Sequence, residues 1–179
     1  MLRIVDNSHV LAVSIKKAKN FLRIDHSADD QDLCTFIKAA TASIEQDLGR
    51  SLMTKTFLKQ AFIRATNSGY AKIQLPFPPL LSVELVEERT SFKFEPLTQY
   101  LISQDKMLPC ITLPRTNCLI RVRYKAGYGN KPMHIPPDLR HAILIMVSDM
   151  YENRSTDTII PNNSLLQMLL NPYRVVTPI

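Results

Sequence analysis

Residues 119–154 constrain this chain more than any other stretch. Residues 119–126 alternate strictly. Ile120, Val122, Tyr124 and Ala126 fall on one side of an extended segment, and Arg121, Arg123 and Lys125 fall on the other. Gly127 and Gly129 follow and end the strand. Pro136 and Pro137 then suit the first turn of a helix, where a backbone N–H has no partner within the helix anyway. Asp138 places a negative charge at the positive end of that helix dipole. Leu139, Ala142, Ile143, Met146, Val147, Met150 and Tyr151 recur at helical spacing, and Leu144 and Ile145 widen the stripe. A helix so apolar has to be packed on more than one side. Its length is near that of a membrane span, but Arg140, His141, Asp149, Glu152 and Arg154 argue against one.

The rest of the chain brackets a β-rich middle with helices. Residues 1–13 are mixed and read as a loose arm. Ile15, Ala18, Phe21 and Leu22 line one side of a short helix over 14–24, with Lys16, Lys17 and Lys19 opposite. Ser27 is positioned to cap a second helix, with Asp29, Asp30 and Asp32 in its first turns. That helix carries Leu33, Phe36, Ile37, Ala40, Ile44 and Leu48 and ends at Gly49. Residues 54–65, 71–75, 81–87, 92–95, 98–102, 110–113 and 119–126 read as strands. Turns are expected at 67–69 and 88–91, and an extended proline connection at 76–79. A polar loop over 155–163, a short helix over 164–170 and an extended tail close the chain. The fold class implied is α+β. A small helical bundle, 14–50 and 136–171, carries an inserted antiparallel β-rich block, 54–126, with a C-terminal tail, 172–179. With 179 residues, of which 45% are hydrophobic, this is expected to be one domain.

Catalytic signatures are absent from the sequence. It has no GxGxxG, P-loop, CxxC pair or HExxH, and its serines and cysteines lack a nucleophile motif. His134 and His141 are separated by two prolines and share no regular helix face. Asp29, Asp30 and Asp32 read as dipole charges rather than a metal cluster. No catalytic residue, metal or cofactor is therefore expected. Cys34, Cys110 and Cys118 are odd in number and widely spaced, which fits a reducing compartment rather than a disulfide framework. The N-terminus has no signal-peptide pattern, so a soluble intracellular product without a membrane association is expected. A net charge of +6 and a pI near 9.3 permit contact with nucleic acid without specifying it.

Two features point to contact surfaces instead. The first is the row Arg121, Arg123 and Lys125, which reads either as a solvated outer face or as a surface for an acidic partner or DNA phosphates. The second is the end of the chain. Leu165, Leu166, Leu169 and Leu170 form a patch on a very short helix, followed by Pro172, Tyr173 and Arg174. That segment either returns to its own core or docks on a neighbour.

Several landmarks together resemble one known family. They are Ser27 to Asp30 (Ser-Ala-Asp-Asp), residues 44–52 (Ile-Glu-Gln-Asp-Leu-Gly-Arg-Ser-Leu), residues 75–83 (Leu-Pro-Phe-Pro-Pro-Leu-Leu-Ser-Val), residues 124–129 (Tyr-Lys-Ala-Gly-Tyr-Gly), residues 135–139 (Ile-Pro-Pro-Asp-Leu) and residues 169–174 (Leu-Leu-Asn-Pro-Tyr-Arg). Their order and spacing resemble the head–tail connector, or head-completion adaptor, proteins of tailed phages, prophages and gene transfer agents. The resemblance runs from about Ser14 to Arg174. It implies a structural virion protein without catalysis, made in the bacterial cytoplasm. Its subunits would form a ring, usually dodecameric, beneath the portal protein at the head–tail junction. The ring would extend the DNA channel without sequence specificity and seat a neck or tail-completion protein. It also implies that the C-terminal segment reaches the portal. A ring subunit needs two complementary faces, and residues 121–125 against Glu84, Glu87 and Glu88 of a neighbour are one such pairing. The competing expectation, resting on charge, is a DNA-binding or DNA-packaging-associated protein.

Overall fold

The structure, a computed structural model, describes residues 1–7, 9–64, 70–91, 93–103, 105, 107–114, 117–153 and 164–175. The described residues divide into two compact units. One draws on 1–8, 54–128 and 175–179, and the other on 9–53 and 129–174.

The first unit is built of β-strands: β1 (Leu2–Asn7), β2 (Lys55–Ile63), β3 (Tyr70–Gln74), β4 (Leu80–Thr90), β5 (Lys93–Pro96), β6 (Leu101–Ser103), β7 (Cys110–Pro114) and β8 (Cys118–Ala126). They form a five-stranded sheet, β1-β2-β8-β4-β5, and a three-stranded sheet, β3-β7-β6. All pairings are antiparallel. The alternation along β8 has the expected result. Ile120, Val122, Tyr124 and Ala126 are all buried, and they share one core with Phe57, Val86, Ile73, Leu75, Ile111 and Leu113. Phe57 stacks between Tyr124 and Phe77, with ring centroids 5.4 Å away on either side. The Tyr124 hydroxyl, otherwise stranded in apolar surroundings, donates to the Pro76 carbonyl at 2.8 Å. The connection at 76–79 is not extended throughout, as the prolines had suggested: Phe77 takes a positive φ of 63° and the Pro78–Pro79 peptide bond is cis.

Further expectations are corrected. The N-terminal arm is not loose. Leu2 to Asn7 pair with β2, and the Met1 amino group donates to the Gln60 carbonyl at 2.7 Å. Most of the β1 side chains are exposed, so backbone pairing along an otherwise open edge orders this strand, and no apolar pattern announces it. The turn expected at 88–91 also begins later, because β4 continues to Thr90 in register with β5. The turn expected at 67–69 and the loop at 155–163 lie outside the described residues, as does most of the tail beyond Arg174.

The second unit contains α1 (Ile15–Leu22), α2 (Asp30–Leu48), α3 (Pro137–Glu152) and α4 (Ser164–Leu170), with 3₁₀ turns at Pro132–His134 and Asn171–Tyr173. Ser14 caps α1 by accepting from the Lys17 N–H at 3.2 Å. At α2 the capping position falls on Asp29 rather than Ser27, and its side chain makes no cap bond. The Asp29 carboxylate instead accepts from the Tyr151 hydroxyl of α3 at 2.5 Å. Gly49 ends α2 in the left-handed conformation at φ 64°. Leu33, Ile37, Ala40, Ile44 and Leu48 of α2 are buried, and α2 packs on α3. On α3 every residue from Ala142 to Val147 is buried, so the helix is covered on more than one side, as its width of stripe requires.

Candidate assembly interface

The outward face of β8 is the first candidate surface. Its register sets Gln60, Leu58 and Thr56 of β2 beside Arg121, Arg123 and Lys125, with Glu87, Leu85 and Ser82 of β4 on the other flank. The three cations are not equivalent. The Arg121 guanidinium lies 3.5 Å from the centroid of the Phe94 ring, and its Nη1 is 3.4 Å from Glu87 Oε2. Lys125 Nζ sits 2.7 Å from Glu84 Oε1. That carboxylate, by hydrogen bond and by charge, raises the lysine above its ordinary range. Both acids therefore pair with cations inside one sheet.

Arg123 differs. It is exposed between Leu58 and Leu85 and has no ion pair or hydrogen bond among the described residues. Sequence gave no sign of its companion. Arg3 of β1 stands opposite Leu58, so Arg3 and Arg123 bracket that leucine on a single face, and Arg3 is likewise exposed without a partner among the described residues. Leu58 itself is only 6% exposed. Two free guanidinium groups flanking an aliphatic side chain form a compact basic patch suited to carboxylates or phosphates.

The end of the chain is the second candidate. Leu166 and Leu170 are buried within the helical unit, Leu169 is partly buried, and Leu165 faces outward at 47% exposure beside Met168 at 67%. Pro172 is exposed and Tyr173 partly buried. Polar ties reinforce the seat. The Arg50 Nε donates to the Tyr173 carbonyl, and the Tyr173 hydroxyl donates to Asp138 Oδ2 at 3.1 Å. Arg174 Nη2 reaches Asp47 Oδ2 at 2.8 Å and Gln167 Oε1 at 2.8 Å. Arg50 and Glu45, both buried, are residues that sequence reasoning missed. Glu45 Oε1 accepts from the Leu52 N–H at 2.8 Å, which fixes the bend after α2. No periodicity marks such a pair, because a buried charge is specified by its partners.

Other titratable groups sit in local contacts. Lys19 Nζ pairs with Asp30 Oδ1 at 2.9 Å, and the His141 ring meets Phe21 edge-on at 5.8 Å. Among the described residues, no three His, Cys, Asp or Glu side chains gather in a way that would hold a metal ion. No helix among them is long and apolar enough to cross a membrane.

Residues 12–160 match the family model described as head completion protein. No curated protein matches the chain. A chain in the neck of an empty gene transfer agent particle, computed with C6 symmetry, superposes with a TM-score of 0.84 at 20% identity, covering 100% of this chain and 97% of that one. A chain in the virion of a native gene transfer agent particle gives 0.83 at 22% identity, with the same coverage of 100% and 97%. One in the neck of a native particle, computed with C12 symmetry, gives 0.78 at 20% identity, again covering 100% and 97%.

Proposed function

The chain belongs to the head completion protein family, and from that premise we propose that it is a structural neck subunit, without catalysis, that acts at the head–tail junction of a phage-like particle. Its copies associate head to tail into a closed ring beneath the portal protein. Twelve copies are proposed, in keeping with the C12 symmetry of one similar neck. The ring lengthens the channel through which DNA passes and presents a seat for the next neck or tail-completion protein. The subunit is made in the bacterial cytoplasm and ends in the virion.

The observation that carries the contact assignment is the pair Arg3 and Arg123. On a face where the other β8 cations are neutralised within the sheet, these two have no partner among the described residues. A head-to-tail contact joins two different surfaces, so an unmatched basic patch suits an acidic surface on the next copy. The outward side of α4, Leu165 and Met168, is the corresponding candidate for contact with the portal. The decisive experiment is negative-stain electron microscopy of the protein mixed with portal-bearing heads. Rings at the portal vertex support the proposal. Retention on double-stranded DNA that weakens with salt, together with no ring at any concentration, favours the DNA-binding reading instead.

A further inference from the structure

A pocket of about 450 Å³ opens in the helical unit, lined by the residues leading into α1 and the start of α3. Lys17, Arg140 and His141 converge on it, while Val13, Pro137 and Leu144 form an apolar wall. Two further facts distinguish this cavity. None of its lining residues is acidic. Arg140 Nε is buried with no hydrogen-bond acceptor among the described residues, a costly state for a guanidinium edge. The acid at the start of α3, Asp138, is taken by the Tyr173 hydroxyl. The His141 ring is set against the edge of Phe21.

We infer that this pocket receives an acidic peptide segment of a partner protein, a carboxylate side chain beside an aliphatic one. The Arg140 fork binds the carboxylate through paired N–H donors, and Lys17 and His141 add charge from either side. The aliphatic neighbour lies on Val13, Pro137 and Leu144. A cavity of this size with few polar groups and an apolar wall is the usual form of a side-chain or small-ligand site. A nucleic-acid backbone has no apolar group to place on that wall, so a peptide is favoured over phosphodiester. The inference does not depend on ring formation and concerns residues outside the sheet patch.

The test is titration of the intact protein with an acetylated, amidated glutamyl-leucyl dipeptide, followed by NMR of the His141 ring protons and backbone amides. Saturable shifts confined to residues 12–17 and 137–144 are expected. The glutaminyl-leucyl analogue should bind about tenfold more weakly, since it lacks the charge. Lys17→Gln, at an exposed position, should weaken binding without unfolding the protein, and Arg140→Lys should do so by removing the fork while keeping the charge. Absence of saturable shifts overturns the inference. So does equal binding of the glutaminyl analogue. Stronger binding of inorganic phosphate or of a short DNA duplex at the same residues overturns it in favour of a phosphate site.

Discussion

Arg174 and Asp47 are joined by one guanidinium nitrogen, Nη2, which reaches both carboxylate oxygens, at 3.0 and 2.8 Å, across 127 residues of sequence. The contact shows how the last helix is held. Both side chains are more than a third exposed, so the ion pair itself is worth about 0.5 kcal/mol or less. Leu170, at 2% exposure, carries far more. Leu170→Ala is expected to cost about 2–5 kcal/mol, whereas Arg174→Ala should shift a thermal melt only slightly. Removal of residues 164–179 should lower the melting temperature by several degrees. An unchanged melt would return the segment to the status of a free arm.

Arg121 and Arg123 should separate stability from assembly. Arg121→Glu loses the Phe94 ring contact and sets two carboxylates together at Glu87, so a loss of about 1–3 kcal/mol in chemical denaturation is expected. Arg123→Glu removes no ion pair or hydrogen bond among the described residues and should stay within about 0.5 kcal/mol of the parent. The same substitution, alone or with Arg3→Glu, should abolish rings in micrographs. Normal rings from the double variant would remove this face from the assembly.

The Tyr124 phenol predicts an alkaline limit. Burial raises its pKa well above the ordinary value of 10.0. The folded chain therefore keeps this proton where the unfolded chain releases it. The contribution to stability is complete below about pH 10 and is lost as pH rises further. Tyr124→Phe should cost about 1–3 kcal/mol near neutrality, because the Pro76 carbonyl loses its donor. It should also flatten part of the alkaline decline. Denaturant midpoints measured either side of pH 10 would check both, and an unchanged slope in the variant would assign the decline to other groups.

Gly129 is the sharpest steric prediction. A Cβ built there would meet His134 Nδ1 at 2.1 Å, and the backbone sits at φ +147°. Gly129→Ala is expected to destabilise by about 1–3 kcal/mol. Adding His134→Ala should recover the steric share and leave the backbone share, so the double variant falls between the parent and the single one.

How much was legible follows from what each element depends on. The β8 alternation and the broad stripe of α3 were readable because burial repeats at the period of the backbone, and the structure places Ile120, Val122, Tyr124 and Ala142 to Val147 accordingly. Strand β1 was not readable, since its order comes from hydrogen bonds to a partner far along the chain. The cap of α2 moved from Ser27 to Asp29, which no local motif separates when serine and aspartate both suit the position. On the candidate face, sequence identified three cations on one side of β8 and named Glu84 and Glu87 as counter-charges, but not that these acids lie beside Lys125 and Arg121 in the same sheet. It could not place Arg3 and Arg123 on either side of Leu58, because strand neighbours are set by register.

The discontinuity of the two units also bears on how the chain emerges from the ribosome. Leu2 pairs with Lys59, so the first strand to be made must wait for β2 before it has a place. The helices of residues 9–53 wait longer, since α3, which covers α2, is not yet translated when β8 is finished. The β-rich unit is therefore the first to be able to close, with two unsatisfied helices in the stretch of chain between β1 and β2. Those helices expose Leu33, Ile37 and Ile44 for the whole interval in which residues 54–136 are made, and that interval is when the nascent subunit is most dependent on chaperone cover.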